Sequence, residues 1–206
     1  MPGLIVSDKA IASEYLGDLL AGGLLLRESK ILSEVLLSNP SLEEWAHLVD
    51  KENILQKNTV HTARRVAIAV KQRMSPMGEE FLRDFVEADS ETSNQLLLFA
   101  MLIRSKAMRE FMTTVISDAR RIYQDELHIS SWIEFFTARS RSIVGLESYA
   151  ESTVRRMGNN VFRMLVDCGY LSEGRTRKLQ KPFILPIVSD WANRMSRMDV
   201  LEAMES

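Results

Sequence analysis

The spacing of the apolar residues is what most restricts the fold of this chain: they recur every three or four positions over most of its length and seldom alternate. Leu24, Ile31 and Val35 repeat beside Leu25, Leu32 and Leu36, while Arg27, Lys30 and Glu34 take the other side. A stripe of that period is buried efficiently only as a helix, so the fold class is mainly α, a multi-helix bundle. Asn39-Pro40 stops this first strong helix, because proline cannot continue the hydrogen-bond ladder. Ser41 with Glu44 has capping-box spacing ahead of Trp45, Leu48 and Val49, and Ser131 with Glu134 repeats it in a helix carrying Trp132, Ile133, Phe135 and Phe136. Residues 59–74 read as a third helix, and Ser75-Pro76 as the start of a fourth whose Phe81, Leu82, Phe85 and Val86 face inward. Residues 96–103 are apolar all round, which places their helix at the centre of the core. Met108, Phe111, Met112, Val115, Ile116, Ala119 and Ile122 continue the period through one long helix.

The end of the chain differs in kind. A helix over residues 147–168 meets Gly169, which suits the left-handed position beyond a helix end. Tyr170-Leu171, a turn at Ser172-Glu173-Gly174, and Phe183-Ile184-Leu185 between two prolines read as short strands around a turn, a small β wing directly behind a helix. A last helix holds Val188, Trp191, Met195 and Met198. The chain thus divides into an N-terminal helical, helix-turn-helix-like domain over residues 1–90 and a C-terminal helical domain over residues 91–206 with a winged-helix-like end.

A length of 206 residues, 46% of them hydrophobic, is enough for one or two such cores. Cys168 is the single cysteine, so no intrachain disulfide can form and a reducing, cytoplasmic compartment is expected. The first residues lack the basic start and apolar core of a signal peptide. The longest apolar runs, residues 19–26 and 96–103, fall well short of the roughly 20 residues that span a bilayer.

Catalytic constellations are missing from the sequence. His47, His61 and His128 stand far apart and none has ligand spacing, so no metal site is expected. There is no GxSxG elbow, Gly22-Gly23 has neither dinucleotide nor P-loop spacing, and Cys168 beside Leu165 and Val166 reads as a small core residue. The expectation is a protein that is not an enzyme and uses no cofactor.

Charge carries more information. The net charge is only −2, but it is distributed in blocks. Residues 51–73 set six basic side chains against Glu52; residues 155–181 set seven against Asp167 and Glu173; residues 79–91 set six acids against Arg83. On a helical wheel, Val60, Ala63, Val66, Ala67, Val70 and Met74 form one arc of the third helix, and His61, Arg64, Arg65, Lys71 and Gln72 another, with Lys57 before them and Arg73 at the end. Arginine can read guanine edges, glutamine adenine, and lysine phosphate, as a helix-turn-helix requires. The turn before this helix is longer than usual, and a solvated basic face on an ordinary bundle helix is an equal reading of that segment alone. The later block is the stronger candidate. Arg156, Asn159, Asn160 and Arg163, with Arg155 beside them, oppose Val154, Met157, Val161 and Leu165, and the expected wing carries Arg175, Arg177, Lys178 and Lys181. A helix in a DNA groove and cations on phosphate would use them in that way, although winged helices also dock proteins.

GGLLLRESKILSEVLL over residues 22–37, ENILQKNTVHTARRVAIAVKQRM over residues 52–74, LLLFAMLIRSKAMREFM over residues 96–112 and the closing wing together resemble BrxA, a family of small components of BREX (bacteriophage exclusion) systems. The resemblance implies a cytoplasmic bacterial phage-defence protein, mostly helical, similar in part to the RNA-binding protein NusB, and able to bind double-stranded DNA without catalysis. Its N-terminal part is then expected to be NusB-like. Two other readings stay open: an adaptor that docks onto other BREX proteins through the acidic block or its eleven methionines, and an RNA-binding protein.

Overall fold

The structure, a computed structural model, describes residues 7–206. Residues 1–6, on which the expectation of no signal peptide partly rests, lie outside the described residues. The helices run α1 (Asp8–Leu16), α2 (Leu26–Leu37), α3 (Leu42–Ala46), α4 (Val60–Met74), α5 (Glu79–Glu87), α6 (Ser90–Arg104), α7 (Lys106–Phe111), α8 (Ser117–Arg121), α9 (Ile129–Ser140), α10 (Glu151–Asp167), α11 (Pro186–Arg194) and α12 (Met198–Glu205). The fold is all-α, and α6 is its axis: Leu96, Leu97, Leu98, Phe99, Met101 and Leu102 are buried on every side. Helices α2, α4 and α5 pack on α6 from the earlier part of the chain, and α7, α11 and α12 from the later part.

Local chemistry explains most of the boundaries. Ser41 caps α3 with a complete capping box, its hydroxyl accepting from Glu44 N–H while the Glu44 carboxylate accepts from Ser41 N–H. Thr59 caps α4 and Asp89 caps α6, each accepting the amide three residues on. Lys30 of α2 donates to the carbonyls of Phe85, Val86 and Ala88, where α5 runs out of partners for them. Gly158 lets α10 lie against α9, because a Cβ there would come within 2.6 Å of Trp132 Cδ1. Trp132 Nε1 donates across that contact to Val154 O at 3.0 Å.

Several expected elements differ. The β wing is not formed: among the described residues Leu171 pairs with Leu179 and Glu126 with Lys178 only as isolated bridges, and Phe183-Ile184-Leu185 is irregular. The intervening loop satisfies its backbone piecemeal, Ser172 N–H bonding Lys178 O at 2.9 Å and Leu127 N–H bonding Arg177 O at 2.9 Å, so no ladder propagates. Ser131 is not a cap, because α9 already begins at Ile129, after His128. The long helix expected over residues 108–123 is interrupted by a π turn, Met112–Ile116, in which the Thr113 and Thr114 hydroxyls donate back to carbonyls of Arg109 and Glu110. The expected last helix is two, α11 and α12, and α10 starts at Glu151 after a short 3₁₀ turn. Beyond α8, Tyr123 N–H bonds Arg120 O and Gln124 N–H bonds Ala119 O, a Schellman closure that puts Tyr123 at φ 55°, in the position glycine usually fills. That left-handed conformation costs a side chain about 1 kcal/mol.

Arg73, expected at the nucleic-acid face, is instead buried inside the bundle, its side chain 0% exposed. Nε and Nη2 donate to Asp18 Oδ2 at 3.0 and 2.7 Å, and Nη1 to Leu24 O at 2.7 Å. Asp18 and Leu24 are near the two ends of the loop between α1 and α2, so one guanidinium of α4 fixes that whole crossing. Removing one member of a buried pair strands the other's charge in the core. Asp18→Ala is expected to cost about 3–5 kcal/mol in urea denaturation, and Asp18→Leu with Arg73→Met to recover most of it.

Candidate nucleic-acid interface

The exposed face of α4 lies beside the start of α10, so the two basic blocks meet. Arg65 and Gln72 of α4 and Arg156 of α10 line one recess of about 330 Å³, together with Ile68 and with Gly17, Asp18, Leu20 and Ala21 of the α1–α2 loop. Two of the expected contact residues hold that loop: Arg65 Nη1 donates to Leu20 O at 3.1 Å, and Asn160 Nδ2 to Leu19 O at 2.7 Å. Further along α10, Asn159, Asn160 and Arg163 share a groove of about 680 Å³ with Arg175 and Arg177 of the loop after Gly174. Asp167 and Glu173 stand in the same groove. Partial burial raises the Asp167 carboxyl above its ordinary range, with Arg163 opposing and Glu173 adding to the shift.

The remaining expected residues do other work. Lys57 Nζ is 2.6 Å from Glu28 Oε1 in a partly buried pair. Arg64 makes a two-pronged contact with Asp50, at 2.9 and 2.7 Å, and holds that carboxyl below its usual range. Lys71 Nζ lies 4.5 Å above the Trp45 ring. Arg155 has Glu151 at 4.0 Å, one turn earlier on the same helix. His61 is exposed. Lys178 and Lys181 face a different cleft, beside Arg120 and Tyr123. Of the sixteen residues singled out, the structure therefore gathers Arg65, Gln72, Arg156, Asn159, Asn160, Arg163, Arg175 and Arg177 around α10 and disperses or neutralises the others.

Sequence reasoning passed over Arg104 and Lys106, which stand outside both basic blocks. They line, with Gln72, Arg109 and the apolar Ile11, Ile103 and Ile143, a cleft of about 490 Å³ that adjoins the recess through Gln72. The acidic block is largely engaged within the fold: Glu79 pairs with Arg83, Glu80 with Arg194, Asp84 accepts from Trp191 Nε1, and Asp89 caps α6.

Among the described residues no group of three or more His, Cys, Asp or Glu could hold a metal ion, and no helix is long and apolar enough to cross a membrane. His47 Nδ1 lies 3.0 Å from Glu52 Oε1. The Cys168 thiol is buried, which pushes its pKa far up, and it donates to Asn94 O at 3.4 Å.

Comparison with known proteins gives concordant results. A family model described as BrxA matches residues 13–196. The chain is 32% identical over 98% of its length to the BREX protein BrxA of Escherichia coli O9:H4 (strain HS), covering 93% of that protein. It is 24% identical over 93% of its length to the BREX protein BrxA of Paramagnetospirillum magneticum (strain ATCC 700264 / AMB-1), covering 96% of it. A crystal structure of a protein from Magnetospirillum magneticum superposes with a TM-score of 0.84 at 22% identity, over 93% of this chain and 98% of that one, and shares its fold.

Two outcomes follow from this geometry. Asn160→Ala is expected to cost about 1 kcal/mol and to speed amide exchange across residues 17–25, read by hydrogen-exchange mass spectrometry. Cys168 should resist iodoacetamide at pH 8 in the folded protein and react once the chain is unfolded in guanidinium.

Proposed function

The chain belongs to the BrxA family of BREX phage-defence components, and we propose that its part in such a system is non-enzymatic: it holds double-stranded DNA by the phosphate backbone. The observation that carries this reading is the meeting of Arg65 with Arg156 in one recess, continued along α10 by Arg163, Arg175 and Arg177. None of the five donates a hydrogen bond to a carboxylate among the described residues, in contrast to Lys57, Arg64 and Arg73. Cations left available on one surface of a protein whose net charge is −2 form a local field suited to a polyanion. Gln72, Asn159 and Asn160 add neutral donors among them, and Asn159 is exposed enough to reach a sugar or base edge.

An electrophoretic mobility assay over a salt series tests the reading. Retardation of a duplex should weaken steeply with salt, each neutralised phosphate adding about 0.9 to the slope of log K against log salt. Arg156→Gln, Arg163→Gln and Arg175→Gln together should flatten that slope by about 3 with the melting temperature nearly unchanged, whereas Lys57→Gln with Arg64→Gln should leave it as it was. Asp167→Asn should strengthen binding a few-fold, because it takes a carboxylate out of the groove. A duplex that runs unretarded even at low salt overturns the proposal, and preferential displacement of duplex by structured RNA reassigns the surface to RNA. Co-purification with another BREX protein, together with indifference to DNA, would favour the adaptor reading.

A further inference from the structure

Tyr123 occupies a conformation that its own side chain makes unfavourable, and it gains nothing visible from the fold in return. Leu25, Asn39, Asn53, Gln56 and Ser196 also have positive φ without being glycine. Leu25 packs on the core, Asn53 bonds the Lys57 backbone through both ends of its amide, and Gln56 accepts from Arg27. Asparagine tolerates the left-handed region, which accounts for Asn39, and Ser196 has a small side chain. Tyr123 alone of the six is large and almost wholly outside the fold: it is 90% exposed, and its hydroxyl makes no hydrogen bond among the described residues. The Schellman closure accounts for the backbone at this position, but it would be served as well by glycine, so the exposed aromatic ring has no packing role among the described residues.

Its surroundings indicate the ligand. Tyr123 lines a cleft of about 790 Å³ with Arg120, Lys178 and Lys181. The two lysines are exposed and make no ion pair among the described residues, and Arg120 keeps one buried Nη1 without a partner while its other Nη donates to Gln180 O. Asp125 and Glu126 also line the cleft, with the Glu126 backbone engaged in the bridge to Lys178. An aromatic face beside unpaired ammonium groups is the elementary unit that binds unpaired nucleotides, the base stacking and the phosphates meeting the cations. We propose that this cleft is a second nucleic-acid site, specific for single-stranded segments, in which a base stacks on Tyr123 and the flanking phosphates lie against Lys178 and Lys181. It is separate from the groove of Arg163, Arg175 and Arg177, and the loop over residues 172–181 contributes cations to both.

Fluorescence polarisation of the full chain with labelled oligo(dT) at low salt tests the site, with a labelled duplex measured in parallel. Tyr123→Gly should lower oligo(dT) affinity by about tenfold and at the same time raise the melting temperature by roughly 2–4 °C, because the left-handed strain is relieved. Tyr123→Phe should keep the affinity. Lys178→Ala with Lys181→Ala should weaken binding and flatten its salt slope by about 1.4. Loss of duplex binding alone would count against the groove around α10 and not against this cleft. Three results would overturn the inference: an oligo(dT) that does not bind, an affinity indifferent to Tyr123→Gly despite the melting gain, which would mark the ring as a protein contact, or an equal loss in Tyr123→Phe.

Discussion

The guanidinium of Arg73 is the joint on which the rest of this architecture depends. It leaves α4, enters the bundle, and holds Asp18 and the Leu24 carbonyl, so the connection between α1 and α2 has a defined path through otherwise apolar packing. An ion pair in such a place adds little net stability over an apolar replacement, but any arrangement that buries one partner without the other leaves an uncompensated charge and is strongly disfavoured. The loop so fixed becomes a surface that others can use. Arg65 and Asn160 bond its carbonyls from α4 and α10, and Gly23 lies so close to α10 that a Cβ would sit 3.3 Å from Arg163 Cδ. The loop that Arg73 holds is thus also bonded by both basic helices.

The same logic divides the cations by role. Those near a carboxylate brought in by the fold, such as Lys57 beside Glu28 and Arg64 beside Asp50, are consumed as internal ties. Those facing the loop between α1 and α2, or the turn after Gly174, meet carbonyls or open solvent and have no hydrogen bond to a carboxylate among the described residues. A chain of near-zero net charge can therefore gather cations locally without any surplus of basic residues, because acids such as Glu28, Asp50, Glu80 and Asp84 are tied to partners elsewhere in the fold. The acidic helix α5 is the complement of this arrangement: its Glu80 and Asp84 clasp Arg194 and Trp191 of α11.

Helix content, the central place of residues 96–103, the capping box at Ser41 and the stop at Pro40 were legible in the sequence, because each depends on neighbours within one or two turns. The resemblance to BrxA was equally open to a linear reading. The fate of individual cations was not: the partners of Lys57 and Arg73 lie 29 and 55 residues away. Two short segments around a glycine turn suggested a wing, but residues 170–180 bond alternately to each other and to residues 125–127, and a hairpin signal cannot anticipate a third segment that intercepts its hydrogen bonds. Ser131 had the right spacing with Glu134, yet helix α9 had already started two residues earlier, so the motif lies inside the first turn. Arg104 and Lys106 escaped notice because the cleft they line is completed by Ile11, Gln72 and Ile143, which are distant in sequence.

The π turn between α7 and α8 has a consequence for how such a chain can vary. One surplus residue is accommodated within a continuous rod, and the displaced carbonyls find threonine hydroxyls in place of amides. Length differences between relatives can in this way be absorbed in a helix interior, with Met112 and Ile116 both still directed at the core. For a relative lacking that residue, an alignment that moved the gap to the next loop would turn the side chains in between by about a hundred degrees of azimuth.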